Sequence, residues 1–209
     1  MPTTATTEPG QPDASSDGRP VLLVISGSTR PVRKSTALAD WLRGLADEQG
    51  AFDVDVVELA ELGLPLLDEP YHPRLQRYQH EHTKAWSRRV ERAGAVVFVT
   101  PEYNHSYPAG LKNAIDYLSV EWRGKPLGYL TYGGVSAGTR AMVALQPVAV
   151  ALGMRVLPQA VNVPFVANVV GEAGTVDANE TMVAAGRAML VALAKAVAEQ
   201  RLLRAQPTG

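Results

Sequence analysis

Pro101-Glu102-Tyr103-Asn104-His105-Ser106-Tyr107-Pro108-Ala109-Gly110-Leu111-Lys112-Asn113-Ala114-Ile115-Asp116 is the stretch on which the fold turns. It directly follows the apolar run 95–100, and from Pro108 onward Leu111, Ala114, Ile115 and Leu118 recur at helical spacing. A buried strand therefore ends, a polar corner follows and an amphipathic helix begins. Pro108 is expected in the first helical turn, where its missing N–H would have had no partner. In open α/β folds such a junction is where ligands bind. A second junction of the same kind, Ser26-Gly27-Ser28-Thr29-Arg30, follows the apolar run 21–25.

On either side of these junctions strand and helix patterns alternate. Leu38, Trp41, Leu42 and Leu45 mark a helix that starts near Ser35, with Ser35 or a neighbour as its cap, and closes at Gly50. Residues 54–59 read as a second strand, 80–93 as a charged helix and 95–100 as the third strand. Residues 127–132 form a fourth strand that turns at Gly133-Gly134. A helix over 139–152 contains Pro147, a short fifth strand covers 154–157, a loop runs over 158–174, and a long helix over 178–203 ends the pattern. Strands apolar throughout, alternating with helices, predict a five-stranded parallel sheet covered on both faces, of class α/β. The flavodoxin-like order 2-1-3-4-5, a three-layer doubly wound fold, puts its crevice between the first and third strands, the two that end in the polar junctions. One domain is expected over 20–204, with a disordered lead over 1–19 and a disordered tail over 205–209.

Composition narrows the chemistry. The 209 residues hold 20 Lys plus Arg against 21 Asp plus Glu, so no overall field favours nucleic acid or an anionic membrane. There is no cysteine, which removes disulfides, thiolate metal sites and cysteine nucleophiles. Any redox chemistry then needs a cofactor. The lead has no basic cluster or apolar run, and the apolar stretch 141–170 is broken by Gln146, Pro147, Arg155 and Pro158 before reaching the ~20 residues of a membrane span. A cytoplasmic protein is the resulting expectation.

The first junction collects the hydroxyls of Ser28, Thr29, Ser35 and Thr36, the turn residue Gly27 and the cation Arg30. A phosphate dianion calls for such donors at a helix N-terminus, where free amides and the helix dipole favour negative charge. A Ser/Thr cap on a surface turn would use the same residues. At the second junction, Glu102, Tyr103, Asn104 and Lys112-Asn113 stand at a density beyond what a corner needs.

Ser26-Gly27-Ser28-Thr29-Arg30 with Ser35, Thr100 to Ser106 as Thr-Pro-Glu-Tyr-Asn-His-Ser, Leu111-Lys112-Asn113-Ala114-Ile115-Asp116, and Tyr132-Gly133-Gly134-Val135-Ser136-Ala137-Gly138 together resemble the NADPH-dependent FMN reductase family of flavodoxin-like proteins. The resemblance spans about residues 20–160. It implies FMN as cofactor and NADPH or NADH as co-substrate. Ser28, Arg30, Ser35 and Thr36 would hold the phosphate. Pro101, Glu102, Tyr103 and Asn104 would border the isoalloxazine, largely through backbone donors, with Gly133, Gly134 and Ser136 at its other edge. No catalytic side chain is required, because the flavin performs the hydride transfer. The acceptor would be a quinone, azo compound, free flavin or metal anion, served in a ping-pong cycle by a homodimer or homotetramer. A flavodoxin-type electron carrier and a flavin-binding sensor without turnover are the alternatives. Gly134-Val135-Ser136-Ala137-Gly138 also spells a serine-hydrolase elbow, but its place after the fourth strand favours a ring-edge turn.

His80 and His82, two apart, would face different sides of a helix as surface residues rather than metal ligands. His105 is read as part of the cofactor rim, Trp41 as core, and Arg88, Arg89 and Arg92 as a solvated helix face. Trp86 and Trp122 suit either core or a subunit interface.

Overall fold

The computed structural model describes residues 18–205, with side chains to Leu203. The expected lead lies outside the described residues except for Gly18 and Arg19, whose guanidinium pairs with Asp53 at 2.7 Å, and the expected tail lies outside them beyond Ala205. Strands β1 (Val21–Ser26), β2 (Asp53–Glu58), β3 (Ala93–Pro101), β4 (Pro126–Tyr132) and β5 (Arg155–Val163) form one parallel sheet in the order β2-β1-β3-β4-β5. Between them run α1 (Ser35–Gln49), the single turn α2 (Leu59–Leu62), α3 (Glu81–Arg92), α4 (Ala109–Asp116) and α5 (Thr139–Ala151), and α6 (Glu180–Ala205) follows β5.

The period of two along each strand divides the core into two layers. Leu22 and Val24 of β1 with Ala95, Val97 and Val99 of β3 pack under α1 and α6, while Leu23, Ile25, Val96 and Phe98 face α3, α4 and α5. Each fully buried aliphatic side chain contributes roughly 1.5–3 kcal/mol relative to exposure, so burial on both faces of the sheet is the main stabilising term. α6 is apolar enough by length and composition to cross a membrane, yet Met189, Leu190, Leu193, Ala196 and Val197 are buried against the sheet and α1. Gly186 permits that approach: a Cβ there would stand 2.8 Å from Leu45 and 3.0 Å from Trp41. Trp41 is half-buried at this seam.

Trp86 and Trp122 are both core, with ring centroids 6.1 Å apart. Their indole N–H groups donate to the carbonyls of Ala114 (2.9 Å) and Ile115 (3.1 Å) in the last turn of α4, where Ile115 also accepts from the Leu118 N–H (3.3 Å). They therefore set the end of the helix that leaves the second junction, and neither is available to an interface.

Several local expectations change. Pro108 (φ −62, ψ 143) precedes α4 instead of lying in its first turn. Lys34 precedes α1 without a side-chain cap, which makes Ser35 the first helical residue. The fifth strand runs to Val163 because a bulge absorbs Pro158: Val156 pairs with Leu127 and Ala160 with Tyr129, and the three residues between have no ladder partner. β5 is an edge strand, the place where a sheet tolerates proline. Pro147 sits inside α5 on its exposed side, where the missing N–H removes one helix bond without burying a polar group under the core. Arg89 is no solvated surface residue, since it grips Asp55 of β2 through two nitrogens at 2.9 and 2.6 Å.

His80 and His82 also depart from expectation. His80 lies just before α3, outside the helical period, so the rings stack at 5.1 Å and both approach Asp68. Among the described residues no group of three acidic, histidine or cysteine side chains forms a metal site.

Candidate functional site

β1, β3 and β4 end side by side, and the loops that leave them are stitched together by side chains. At the end of β1, Ser26 and Ser35 hydroxyls lie 2.7 Å apart and Ser26 donates to Glu58 at 3.0 Å. Glu58 also accepts from the Arg33 guanidinium at 2.7 Å, so a partly buried carboxylate from β2 ties together the start of α1 and the loop before it. Ser28 is fully buried, and its hydroxyl meets the Tyr103 phenol at 2.7 Å, tying the first junction to the second. Tyr132 enters from β4. Burial is the main cause pushing its phenol up to about 12, with the Ser35 and Ser28 hydroxyls offsetting part of the shift.

The loop after β3 is a tight hairpin. Tyr103 N–H donates to the Ser106 carbonyl (2.8 Å) and Ser106 N–H returns the bond (3.0 Å), while Asn104 (φ 49) and His105 (φ 67) occupy the left-handed region between them. Positive φ at both central residues is the requirement of a type I′ turn, which suits asparagine in particular. Asn104 and His105 therefore stand exposed at the tip. Glu102 turns back: it accepts from Ser136 Oγ (2.9 Å), from the Arg140 amide (3.1 Å) and from the Arg140 guanidinium (2.7 Å). Burial acts to raise its pKa, but the Arg140 and Ser136 bonds outweigh it and hold the carboxyl below its usual range. Glu102 thus caps α5 with a negative charge at the helix N-terminus and couples the loops after β3 and β4.

After β4 the chain doubles back sharply. Ala137 (φ 53) and Gly138 (φ 79) are both left-handed, and a Cβ on Gly138 would lie 2.6 Å from the Tyr132 nitrogen, so only glycine fits. Gly134 is the opposite case: a Cβ there would meet nothing within 4 Å, so its backbone faces open space.

The structure accordingly gathers Ser28, Ser35, Tyr103, Glu102 and Ser136 into one network, with Gly133 and Gly134 beside it. Ser35 is buried with its hydroxyl engaged by Ser26. Thr36 lies outside that hydroxyl cluster and lines a groove of about 660 Å³ between residues 31–40 and 170–174. Pro101 is buried. Asn113, prominent in the sequence, holds another loop, donating to the Pro65 carbonyl (2.7 Å) and accepting from Leu67 N–H (2.9 Å). Arg33, Glu58, Tyr132 and Arg140 are parts of the network that the sequence reading did not single out. The spacing Arg30-x-x-Arg33 was visible, but the pairing of Arg33 with a carboxylate from β2 requires the fold.

Unspent donors show what the loops suit. Among the described residues the Arg30 side chain has no partner, and the N–H groups of Ser28, Thr29, Thr36 and Ala37 have no acceptor. Those amides and that guanidinium suit a phosphate, and the open backbone at Gly134 suits the approach of a flat ring. The 2-1-3-4-5 sheet with these loops at its carboxyl ends defines a flavin-binding protein of the flavodoxin-like class. The profile of the family described as NADPH-dependent FMN reductase matches residues 20–168. The NAD(P)H-dependent FMN reductase of Schizosaccharomyces pombe is 44% identical over 141 residues, covering 66% of this chain and 70% of that one. A 2-hydroxy-1,4-benzoquinone reductase of Burkholderia is 34% identical over 113 residues, 54% of this chain and 55% of that one. The solved structure of the NAD(P)H:(acceptor) oxidoreductase FerB of Paracoccus denitrificans superposes with a TM-score of 0.66 at 25% identity, covering 86% of this chain and 98% of that one. The chain belongs to the NADPH-dependent FMN reductase family, and it is an FMN-dependent NAD(P)H oxidoreductase.

Proposed function

We propose that the protein oxidises NADPH or NADH and passes the electrons to a planar acceptor of the quinone class in a ping-pong cycle. Ser28, Arg30, Ser35 and Thr36 surround the FMN phosphate in this reading, chiefly through the loop amides and the Arg30 guanidinium. The isoalloxazine lies between the turn at Pro101, Glu102, Tyr103 and Asn104 and the loop at Gly133, Gly134 and Ser136. When bound, FMN supplies the hydride chemistry. The polypeptide positions it, with Glu102 and Tyr103 bracing the three loops so that their amides keep a fixed aim. The N–H groups of Glu102 and Tyr103 are spent on Tyr132 and Ser106, which leaves the Asn104 and His105 amides as the unpaired donors of that turn.

The observation that carries the reading is the set of unspent donors beside the Ser28–Tyr103 bond, at the crevice between β1 and β3. The quinone reductase among the relatives supports the acceptor class. Steady-state oxidation of NADPH by FMN-loaded protein, with 1,4-benzoquinone varied, tests it: parallel double-reciprocal lines are expected, and a flavin-loaded protein without turnover overturns the proposal.

Assembly as a homodimer is part of the same proposal, with a tetramer as its pairwise extension. Leu66 (83% exposed), Leu75 (57%) and Tyr71 project from the segment between α2 and α3. Asn113, Tyr117 and Glu121 fasten that segment to the body, so its apolar side chains are presented on a fixed backbone, as in a contact surface. Dependence on NAD(P)H supports a cytoplasmic place of work, which fractionation of expressing cells tests.

A further inference from the structure

After β5 the chain passes through Pro164 to Phe165, whose backbone (φ 45, ψ 52) lies in the left-handed region. Five described non-glycine residues have positive φ. Asn104 and His105 belong to residue types that enter this region comparatively often, Ala137 is small and Gln76 is polar. Phe165 alone is a bulky apolar residue, for which such a backbone is a true outlier. Its neighbours impose the conformation: Phe165 N–H donates to the Gly134 carbonyl (3.0 Å), Val166 N–H to the Gly133 carbonyl (3.1 Å) and Asn168 N–H to the Phe165 carbonyl (2.8 Å), while Gly133 N–H returns a bond to Val163 (3.2 Å).

Those bonds account for the backbone and leave the side chain unexplained. Glycine or asparagine would make the same bonds with less strain. The position instead holds a phenyl ring that is 55% exposed, so a strained backbone and an exposed aromatic coincide at one residue. Val135, 77% exposed, adjoins Gly134 on the other side of the same bond. The two form an apolar lip on the loop whose open backbone at Gly134 suits a flat ring. Strained residues that persist at a site are commonly held there by what they do.

We propose that Phe165 is a specificity-determining residue whose ring packs against the planar electron acceptor, so that flat aromatic acceptors of the quinone class are favoured over compact inorganic ones. The inference rests on the reading that places the flavin at Gly133 and Gly134. Offset stacking on a ring whose backbone is pinned on both sides orders little of the protein on binding.

The test compares F165G, F165A and F165Y with the wild type as full-length, FMN-loaded enzymes, using 2-methyl-1,4-naphthoquinone and ferricyanide as acceptors. F165G melts higher by ~2–6 °C, because glycine relieves the left-handed backbone. In F165G and F165A the ratio of kcat/KM for the quinone to that for ferricyanide falls ~10-fold, mainly through the quinone KM, and F165Y restores it. An unchanged ratio in F165G and F165A overturns the inference. So does a rise in the NADPH KM equal to that for the quinone, since the ring would then serve the hydride donor. A wild type that takes up no FMN in a fluorescence titration instead refutes the flavin placement, before any variant is made.

Discussion

The hydroxyls of Ser28 and Tyr103 meet at 2.7 Å across 75 residues of sequence, which makes the loops after β1 and β3 one unit. Tyr103→Phe removes the bond while keeping the ring. A buried hydrogen bond contributes about 1 kcal/mol net, so FMN affinity is expected to fall ~3- to 10-fold with little loss of kcat at saturating FMN. Flavin fluorescence quenching on titration measures this, and an unchanged dissociation constant would show that the bond does not order the site.

Glu102 gives a pH signature. Its folded pKa lies below the usual carboxylate value, so its contribution to stability is present above the unfolded pKa of about 4.3 and is lost as pH falls through the folded value. The wild-type melting temperature is expected to drop below about pH 4.5, and Glu102→Gln should remove part of that slope. Glu102→Ala leaves the Ser136 and Arg140 donors unpaired and is expected to cost about 1–3 kcal/mol in urea unfolding at neutral pH.

At the alkaline end the sign reverses. Tyr132 has a folded pKa raised to about 12, chiefly by burial, so its contribution is complete below the unfolded value near 10 and is lost as pH rises toward 12. Tyr132→Phe should flatten the decline in stability between about pH 10 and 12. Melting curves of both proteins across that window decide it.

Trp86 separates packing from hydrogen bonding. Trp86→Ala opens a cavity in the layer under α3 and α4 and is expected to cost about 3–5 kcal/mol. Trp86→Phe retains most of the volume but orphans the Ala114 carbonyl, at about 1–3 kcal/mol. A Trp86→Phe protein as stable as the wild type would show that the indole N–H contributes nothing.

The segment between α2 and α3 tests assembly. If the proposed dimer forms there, Leu66→Glu with Leu75→Glu is expected to shift the mass measured by light scattering from that of two chains to that of one, with a far-ultraviolet spectrum like the wild type; a wild type with the mass of one chain overturns the dimer proposal. Retention of the dimer would move the contact elsewhere.

Strand order was legible because five strand patterns, three of them apolar throughout, alternate with helical ones, and a parallel sheet of that kind admits few topologies. The end of β5 was not, because Pro158 reads as a strand breaker unless one knows that it lies in a bulge on an edge. The loops of the site were recognised by residue type, yet their wiring was hidden. Glu102 looks like a group that borders the ligand, and only the proximity of β4 shows its carboxylate engaged by Ser136 and Arg140. Ser35 looks like a helix cap, and only β2, which delivers Glu58 beside Ser26, shows why it sits one residue inside the helix. Contacts between distant strands carry no local signal, whereas turns such as Tyr103 to Ser106 do, through the conformational preferences of Asn104.

The bulge at Pro158 also reaches beyond the single molecule. It interrupts the regular ladder of β5, and at the opposite border β2 carries Asp53, Asp55 and Glu58, each in an ion pair with an arginine. Neither margin offers the flat, uncharged template that a strand from another molecule would need, so fibrillar stacking is opposed at both rims.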